Sequence, residues 1–286
     1  MKIAVLSDIH ANLVALKTAV DHLEAWHPDY VIVAGDLVNR GPRPMECLRF
    51  IQQKSKSGNW LMVRGNHEDY VISQANPLAP HSGPAFEVHR ASFWTYQQLN
   101  RDIAPLQEMP FQQSLLDPDG NEIRFVHASM AGNRDGIYPE TNDETLAHKI
   151  FPNGVHRNKP HLVLFCVGHT HRPLIRNLDG ILIINAGSAG LPFDGDNRLS
   201  YAQLTWRNGL WNAEIIRLKY DTFRAENDFI ASGYLDGGGP LVRLVQIELK
   251  TASSQLYNWA VKYQEPARRG EISMRESVRQ YLQNIQ

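Results

Sequence analysis

Short apolar runs recur along the chain, and each ends at a glycine or a polar residue. They lie at residues 3–6, 30–34, 60–63, 123–126, 162–167 and 181–184. Their length and their many branched apolar residues are typical of strands that are buried on both faces. After the first run, Asn12 is a predicted N-cap for a helix whose apolar face carries Leu13, Leu16, Val20 and Leu23. Strand alternating with helix predicts a parallel sheet with right-handed crossovers.

The middle of the chain has a different pattern. Residues 69–110 lack an apolar run that is typical of a strand, and a helix is predicted at about residues 86–99. We interpret 69–110 as a helical insertion near the opening of a site, because such segments often act as covers. Its aromatic residues Phe93, Trp94 and Tyr96 are typical of a core, and they would also suit stacking on a base.

The last part of the chain begins with strands and ends with helices. Residues 201–218 predict a β-hairpin that turns at an Asn-Gly pair. A capping box formed by Ser273 and Glu276 begins the final predicted helix. We therefore predict one domain over residues 1–236 and a helical C-terminal extension over 237–286. That extension would pack on the core or on a second copy of the chain to form a homo-oligomer.

Composition excludes several classes of protein. The 286 residues have 43% hydrophobic content, which can fill the core of one large domain, with or without an appendage. The net charge of −1, without a long run of Lys or Arg, gives no indication of a stable nucleic-acid partner or of a membrane surface. Cys47 and Cys166 lie in apolar surroundings and are interpreted as buried, reduced thiols. The N-terminal apolar run is too short for a secretory signal, so the expected location is cytoplasmic.

Five of the predicted strands are followed by side chains that can bind metal ions. These are Asp8 with His10, Asp36, Asn66 with His67, His127, and His169 with His171. In an extended segment, residues i and i+2 point to the same side, so Asp8 and His10 can converge. An Asp-x-His pair alone is equally typical of a cap on the next helix. Five such coincidences at the end of strands favour a site for first-row divalent metals.

The mixture of acidic and neutral candidate ligands points to phosphate chemistry. Two divalent cations about 3.5–4 Å apart form a clamp for in-line displacement at phosphorus. Counting two cations, two carboxylates and one hydroxide leaves a net charge of about +1, which attracts phosphate. Asparagine and histidine ligands are neutral and keep that positive charge.

These motifs resemble those of the calcineurin-like metallophosphoesterases over roughly residues 1–220. The matching blocks are DIH at 8–10, GD at 35–36, GNHE at 65–68, a lone His127 and GHTH at 168–171. The resemblance implies a four-layer αββα sandwich and two ions of Mn, Fe, Zn or Ni. It implies that Asp8, His10 and His171 hold one ion, that Asn66, His127 and His169 hold the other, and that Asp36 bridges them. His67 would point toward substrate as a catalytic residue.

The run GDLVNRGP resembles the GD-x-x-x-R-G motif of the protein Ser/Thr phosphatase branch. By that resemblance Arg40 would grip the substrate phosphate, for which a planar guanidinium is well suited. Asn39 departs from the branch, which usually has aspartate there, and His127 is followed by Ala-Ser rather than Gly-Gly. Overall size and the GNHE block instead resemble bacterial diadenosine tetraphosphatases and small phosphodiesterases.

The resemblance therefore implies a metal-dependent phosphoesterase that acts by attack of a metal-bridging hydroxide. Its substrate would be a phosphodiester, a phosphomonoester, a dinucleoside polyphosphate or another nucleotide. A protein Ser/Thr phosphatase-like enzyme and a non-catalytic protein-binding scaffold of the same fold are the alternatives. A zinc-dependent amide hydrolase is not favoured, because the H-x-H-x-D-H spacing is absent.

Overall fold

A computed structural model describes residues 1–154 and 160–285 and contains two five-stranded sheets. The strands are β1 (Lys2–Leu6), β2 (Tyr30–Ala34), β3 (Trp60–Val63), β4 (Gln112–Leu116), β5 (Glu122–Val126), β6 (Leu162–Val167), β7 (Leu174–Leu178), β8 (Ile181–Asn185), β9 (Leu199–Arg207) and β10 (Leu210–Leu218). The first sheet has the order β10-β9-β1-β2-β3, and the second has the order β4-β5-β6-β8-β7. Strands β1, β2 and β3 are parallel as predicted, and so are β5, β6 and β8.

Helices lie outside both sheets and at the C-terminal end of the chain. They are α1 (Leu13–Ala25), α2 (Pro44–Ser55), α3 (Asn66–Ile72), α4 (Gly83–Gln98), α5 (Ala104–Gln107), α6 (Asp143–Ile150), α7 (Thr222–Ala231), α8 (Tyr234–Gly237), α9 (Val242–Thr251), α10 (Gln255–Trp259), α11 (Glu265–Arg268) and α12 (Met274–Asn284). A π-helical turn at Ala260–Gln264 joins α10 to α11. Within residues 1–154 and 160–285, no helix combines the length and apolar character that crossing a membrane requires.

Alternation along the central strands creates the layers. Ile3 and Val5 of β1 face the second sheet and belong to the same buried cluster as Phe125 of β5. Ala4 and Leu6 face the opposite side and pack beneath α1 and α2. On the outer face of the second sheet, β5, β6 and β8 pack against α6. The predicted αββα sandwich is confirmed, and both cysteines are buried and free as expected.

The sequence pattern missed two strands, β4 and β7. Both lie at the edges of the second sheet, where one face of each strand remains partly exposed. Edge strands need no continuous apolar run, and the QQSLL and LIRNL segments do not have one. The predicted hairpin is confirmed as β9 and β10, which turn at Asn208-Gly209.

The insertion and the C-terminal helices pack on each other. Trp94 of α4 lies against Tyr234 of α8, with ring centroids 4.5 Å apart. Val88 of α4 packs on the buried cluster that includes Trp259 and Tyr263. The predicted insertion helix and the helical character of the extension are thus confirmed, whereas the domain division after residue 236 stays a prediction. The final helix begins at its predicted cap, where Ser273 Oγ accepts the N–H of Glu276 at 3.1 Å.

Candidate metal centre

The carboxyl ends of strands from both sheets lead into one buried site. The seven predicted ligands all lie there: Asp8 and His10 follow β1, Asp36 follows β2, Asn66 follows β3, His127 follows β5, and His169 and His171 follow β6. All except the half-buried His169 are buried. The parallel strand order explains this meeting, because the ends of neighbouring parallel strands share one edge of a sheet.

The backbone at these ligands is not extended, which corrects the sequence-based expectation for Asp8 and His10. Strand β1 ends at Leu6, and Asp8 and His10 adopt left-handed conformations with φ of 54° and 49°. Asp36, His169 and His171 are also left-handed. Such conformations cost about 1–2 kcal/mol per residue for L-amino acids and cluster at functional sites. The two side chains converge nonetheless, with His10 Nε2 3.8 Å from Asp8 Oδ1.

The first group of donor atoms consists of Asp8, His10 and His171. His10 Nε2 and His171 Nε2 are 3.1 Å apart, and His171 Nε2 is also 3.1 Å from Asp8 Oδ1. Both imidazoles donate from Nδ1 to backbone carbonyls, those of Asn39 and Leu191, so in the neutral form each Nε2 presents a lone pair. Within the described part of the chain, the buried Asp8 Oδ1 has no hydrogen-bond partner.

The second group consists of Asn66, His127 and His169. Asn66 Oδ1 lies 3.0 Å from His127 Nε2 and 2.8 Å from His169 Nδ1. Asp36 Oδ2 lies between the two groups, 3.7 Å from His10 Nε2 and 3.4 Å from His127 Nε2. Four of these residues form a candidate metal-binding cluster, in which one potential ligand atom of each lies within 4.8 Å of the others: Asp8, His10, Asp36 and His171. Carboxylate, imidazole and amide atoms of this kind bind first-row divalent cations, and the buried Asp8 Oδ1 has no other partner within the described residues, so the donor set fits a cation.

Burial and neighbouring charges shift the pKa values of several side chains in the site. Burial opposes ionisation of Asp36, but His127 and His67 outweigh it and lower the pKa of that carboxyl well below its usual range. Burial opposes protonation of His127, but the Asp36 carboxylate raises the pKa of that imidazole to about 10. Burial and the neighbouring His171 lower the pKa of His10 to about 3. A proton on His127 thus balances the carboxylate until a cation replaces it.

Two motif glycines let the loops approach one another. A Cβ on Gly65 would lie 2.1 Å from Asp36 Oδ1, and one on Gly168 would lie 1.8 Å from Ser7 Oγ. Glu68 ties the loops after β2 and β3 together, because its carboxylate accepts the backbone N–H groups of Asp36, Val38 and Gly65. Burial and the charge of Asp36 raise the pKa of Glu68 to about 7. Sequence reasoning gave Glu68 no role, although its place in the GNHE block was a signal.

Comparison with known proteins agrees with this geometry. The sequence model of the calcineurin-like phosphoesterase superfamily domain matches residues 1–209. The chain belongs to this family. Membership implies a hydrolase that acts on phosphate esters and uses divalent metals. The C-terminal helices α7 to α12 lie outside the matched residues.

Relatives within the family include proteins with and without an assigned substrate. An uncharacterised protein of Methanocaldococcus jannaschii is 29% identical over 243 residues, covering 78% of this chain and 89% of that protein. The symmetrical bis(5'-nucleosyl)-tetraphosphatase of Nitrosospira multiformis is 34% identical over 104 residues, covering 36% of this chain and 34% of that enzyme. That match spans only about a third of either chain.

Solved structures extend the likeness to most of the chain. A metallophosphoesterase from Sphaerobacter thermophilus has a TM-score of 0.66 at 27% identity, covering 88% of this chain and 99% of that one. A hypothetical protein from Pyrococcus horikoshii has a TM-score of 0.68 at 20% identity, covering 84% of this chain and 97% of that one. The second likeness concerns the fold alone.

His67 lies beside the candidate metal ligands and is held by Asn39. Its Nε2 is 4.0 Å from Asp36 Oδ2, and its backbone N–H donates to Asp36 Oδ1 at 2.9 Å. The Asn39 amide oxygen accepts the backbone N–H of Arg40, which can only donate. The amide nitrogen therefore faces His67 Nδ1, at 2.9 Å, and donates to it. Nδ1 acts as the acceptor, so the imidazole carries its hydrogen on Nε2.

Helix α4 of the insertion fixes this asparagine. Asn39 Nδ2 also donates to Ser92 Oγ at 3.0 Å, and Thr95 Oγ1 lies 3.3 Å from Asn39 Oδ1 and 3.2 Å from the Ala91 carbonyl, which share its single hydrogen. Both amide hydrogens are used and the amide oxygen accepts the Arg40 N–H, so the orientation of the amide is determined. Burial lowers the pKa of His67 well below its usual value, and the Arg40 charge adds to that effect while Asp36 opposes it.

Arg40 borders the open space above the candidate ligands. It lines a cavity of about 480 Å³ together with Asp36, Asn66, His67 and His171. Among the described residues, its guanidinium has no ion pair or hydrogen bond to a protein group. A positive group without a partner beside a metal site is available for an anionic ligand. Sequence reasoning missed other residues of this cavity, such as Tyr257, because the C-terminal helices carry no motif.

Proposed function

We propose that this chain is a dinuclear metal-dependent phosphoesterase. The observation that carries the proposal is the position of Asp36 Oδ2 between two groups of converging metal-binding atoms. In this assignment, Asp8, His10 and His171 hold one ion, and Asn66, His127 and His169 hold the other, with Asp36 shared. The unpartnered, buried Asp8 Oδ1 supports a cation at the first position. When bound, paired divalent ions supply an activated water at neutral pH and neutralise charge on the phosphoryl oxygens.

The chain's own residues then bind and orient the phosphate. Arg40 has a free guanidinium that can grip two phosphate oxygens, which fixes the direction of the ester bond. His67 carries its hydrogen on Nε2 and serves as a hydrogen-bond donor to charge that develops on the reacting group. Because Asn39 donates to Nδ1, that nitrogen carries no hydrogen, and His67 is a neutral imidazole whose Nε2–H is too weak an acid to protonate a leaving group. The site therefore suits leaving groups that depart as stable anions.

This preference bears on the choice among substrates. Aryl oxides and the phosphate groups of anhydrides leave as stabilised anions, whereas alkoxides need a proton in the transition state. We infer that aryl diesters and dinucleoside polyphosphates are better substrates than alkyl monoesters. The Nitrosospira multiformis relative is named a symmetrical bis(5'-nucleosyl)-tetraphosphatase, which supports dinucleoside polyphosphates as substrates. The match to that enzyme covers 36% of this chain. Asn39 argues against a protein Ser/Thr phosphatase, whose substrates have alkoxide leaving groups.

A substrate screen tests the proposal. The protein would be stripped with chelator, reloaded with manganese, and assayed on p-nitrophenyl phosphate, its bis-ester, methyl phosphate and diadenosine tetraphosphate. We expect metal-dependent hydrolysis of the bis-ester and of the tetraphosphate, with methyl phosphate the slowest. Manganese-loaded protein that turns over none of the four compounds would contradict an enzymatic role and favour the scaffold alternative.

A further inference from the structure

A second cavity adjoins the metal centre on its helical side. It has a volume of about 520 Å³ and meets the first cavity at Arg40, His67, Tyr70 and Tyr257, which line both. A phosphate bound at Arg40 would therefore have open space on two sides. The volume of the second cavity lies within the range of sites for organic ligands and greatly exceeds the space that one phosphate group needs.

The walls of this cavity come from two segments that pack on each other. Helix α4 of the insertion contributes Val88 and Ala91, and the C-terminal extension contributes Leu256, Tyr257 and Ala260. The site therefore combines residues from inside and outside the span that the family model matches. Its shape depends on a region of the chain that the metal-binding motifs do not specify.

The chemistry of the lining favours a flat, largely apolar group attached to an anion. Within the described part of the chain, no carboxylate lines the cavity, whereas Arg40 and Arg134 both do. The Arg134 guanidinium lies over the ring of Tyr70, 4.7 Å from its centroid. Tyr257 is 69% exposed, although its position at the junction of the two cavities would let its ring cover a bound group. Exposed aromatic faces of this kind stack on planar ligands.

The geometry points to a binding pocket for the organic group of the phosphate ester, between helix α4 and the C-terminal extension. Its occupant is a planar aromatic group, and Tyr257 and Ala260 decide how well that group fits. This inference rests on the proposed function for one step only, the placing of the phosphate beside Arg40. It assigns to the extension a role in substrate selection that the metal site alone does not provide.

Binding of two phosphonates to the manganese-loaded protein tests the pocket without any catalysis. Phenylphosphonate and methylphosphonate carry the same anionic group, resist hydrolysis at the P–C bond, and differ in the ring. By calorimetry, we expect the native protein to bind phenylphosphonate about tenfold more tightly or better, as burial of an aromatic ring predicts. Inorganic phosphate should displace both ligands, since all three would share the place beside Arg40.

Two substitutions and two matched controls locate the effect. Tyr257→Ala removes the ring, and Ala260→Phe fills the cavity; each should reduce the phenyl preference about fivefold or more while methylphosphonate affinity stays within about twofold. Val261 is 74% exposed and lines neither cavity, so Val261→Ala and Val261→Phe should leave both affinities unchanged. If Ala260→Phe fails to fold, Tyr257→Ala decides the matter alone, because its side chain is exposed.

The possible outcomes separate this inference from the proposed function. Equal affinity of the native protein for the two phosphonates, or no binding of either, would overturn the pocket. The pocket would also be overturned if Val261→Ala and Val261→Phe reduced the preference for phenylphosphonate as much as Tyr257→Ala and Ala260→Phe do. A phenyl preference in a protein that hydrolyses no phosphate ester would keep the pocket and refute the catalytic proposal. Hydrolysis of phosphate esters without any preference for phenylphosphonate would refute the pocket and keep the catalytic proposal.

Discussion

The side-chain amide of Asn39 donates to Nδ1 of His67 across 2.9 Å, and this bond determines which imidazole nitrogen carries the hydrogen. The amide cannot rotate, because its oxygen accepts the backbone N–H of Arg40. An aspartate in the same place would instead accept a hydrogen from Nδ1. One side-chain atom thus separates a histidine that donates a hydrogen bond from one that can release a proton.

Asn39→Asp should therefore change the dependence of rate on the leaving group. With a carboxylate beside Nδ1, His67 can hold a second hydrogen and protonate a departing alkoxide. We expect the rate on methyl phosphate to rise relative to that on p-nitrophenyl phosphate by about tenfold, within the span of general acid catalysis. The measurement is kcat/KM over a series of aryl and alkyl phosphates. An unchanged slope against leaving-group pKa would contradict the tautomer assigned to His67.

Asp36→Asn should reduce metal binding at both positions. The Asp36 carboxylate lies 3.7 Å from His10 Nε2 and 3.4 Å from His127 Nε2, and an amide there would supply less negative charge to each ion. We expect fewer than two manganese ions per chain after dialysis and a loss of activity of about 10²-fold or more. Metal content by plasma emission spectroscopy gives the stoichiometry. Asp119→Asn is the matched control, because Asp119 lies in the turn between β4 and β5, outside the site. If Asp36→Asn kept two manganese ions per chain and a normal rate, the assignment of Asp36 as a bridging ligand would be contradicted.

His67→Ala should leave the metals bound and slow the reaction. His67 contributes its Nε2 hydrogen to the site, and the loss of one such donor typically costs about 10²–10³ in kcat. Metal content should stay equal to that of the native protein, since the ligand groups do not include this imidazole. His148→Ala, at an exposed position on α6, serves as the control. An unaltered kcat in His67→Ala would leave this histidine without a catalytic role.

Glu248→Gln should change how stability depends on pH. This carboxyl on α9 is fully buried; Oε1 accepts the Leu256 N–H at 2.8 Å, whereas Oε2 has no partner among the described residues. Burial raises its pKa above the usual 4.5, although the Arg40 charge opposes that shift. The folded protein therefore keeps a proton that the unfolded chain releases, and the contribution of Glu248 to the free energy of unfolding falls as pH rises above 4.5.

Urea denaturation from pH 4 to pH 8 measures this effect. Relative to the native protein, Glu248→Gln should gain stability as pH rises, because glutamine has no charge to bury. Glu276, at the N-terminus of α12, offers a contrast, since hydrogen bonds from Arg279 and Gln280 lower its pKa to about 2. Glu276→Gln should show no such gain toward neutral pH. Parallel stability curves for native protein and Glu248→Gln would contradict the raised pKa.

The amino-acid sequence by itself determined the central strands and the candidate metal-binding side chains. Runs such as residues 3–6 and 162–167 are apolar at every position, so local composition was sufficient to predict buried parallel strands. Once the strands were predicted, the polar side chains directly after them could be recognised as candidate ligands, because neighbouring parallel strands end at one edge of the sheet. The edge strands β4 and β7 escaped prediction, since partners along only one side impose a weaker pattern.

Only the tertiary structure decided the geometry around those ligands. The left-handed turns at Asp8 and His10 exist because surrounding contacts hold them, and local sequence preference would not choose them. The hydrogen on His67 depends on Asn39, whose amide is in turn fixed by Ser92 and Thr95 of a distant helix. Tyr257 reaches the site through packing of the C-terminal extension on α4. Contacts between segments far apart in the chain leave no periodic trace in the sequence, so they appear only once the layers have assembled.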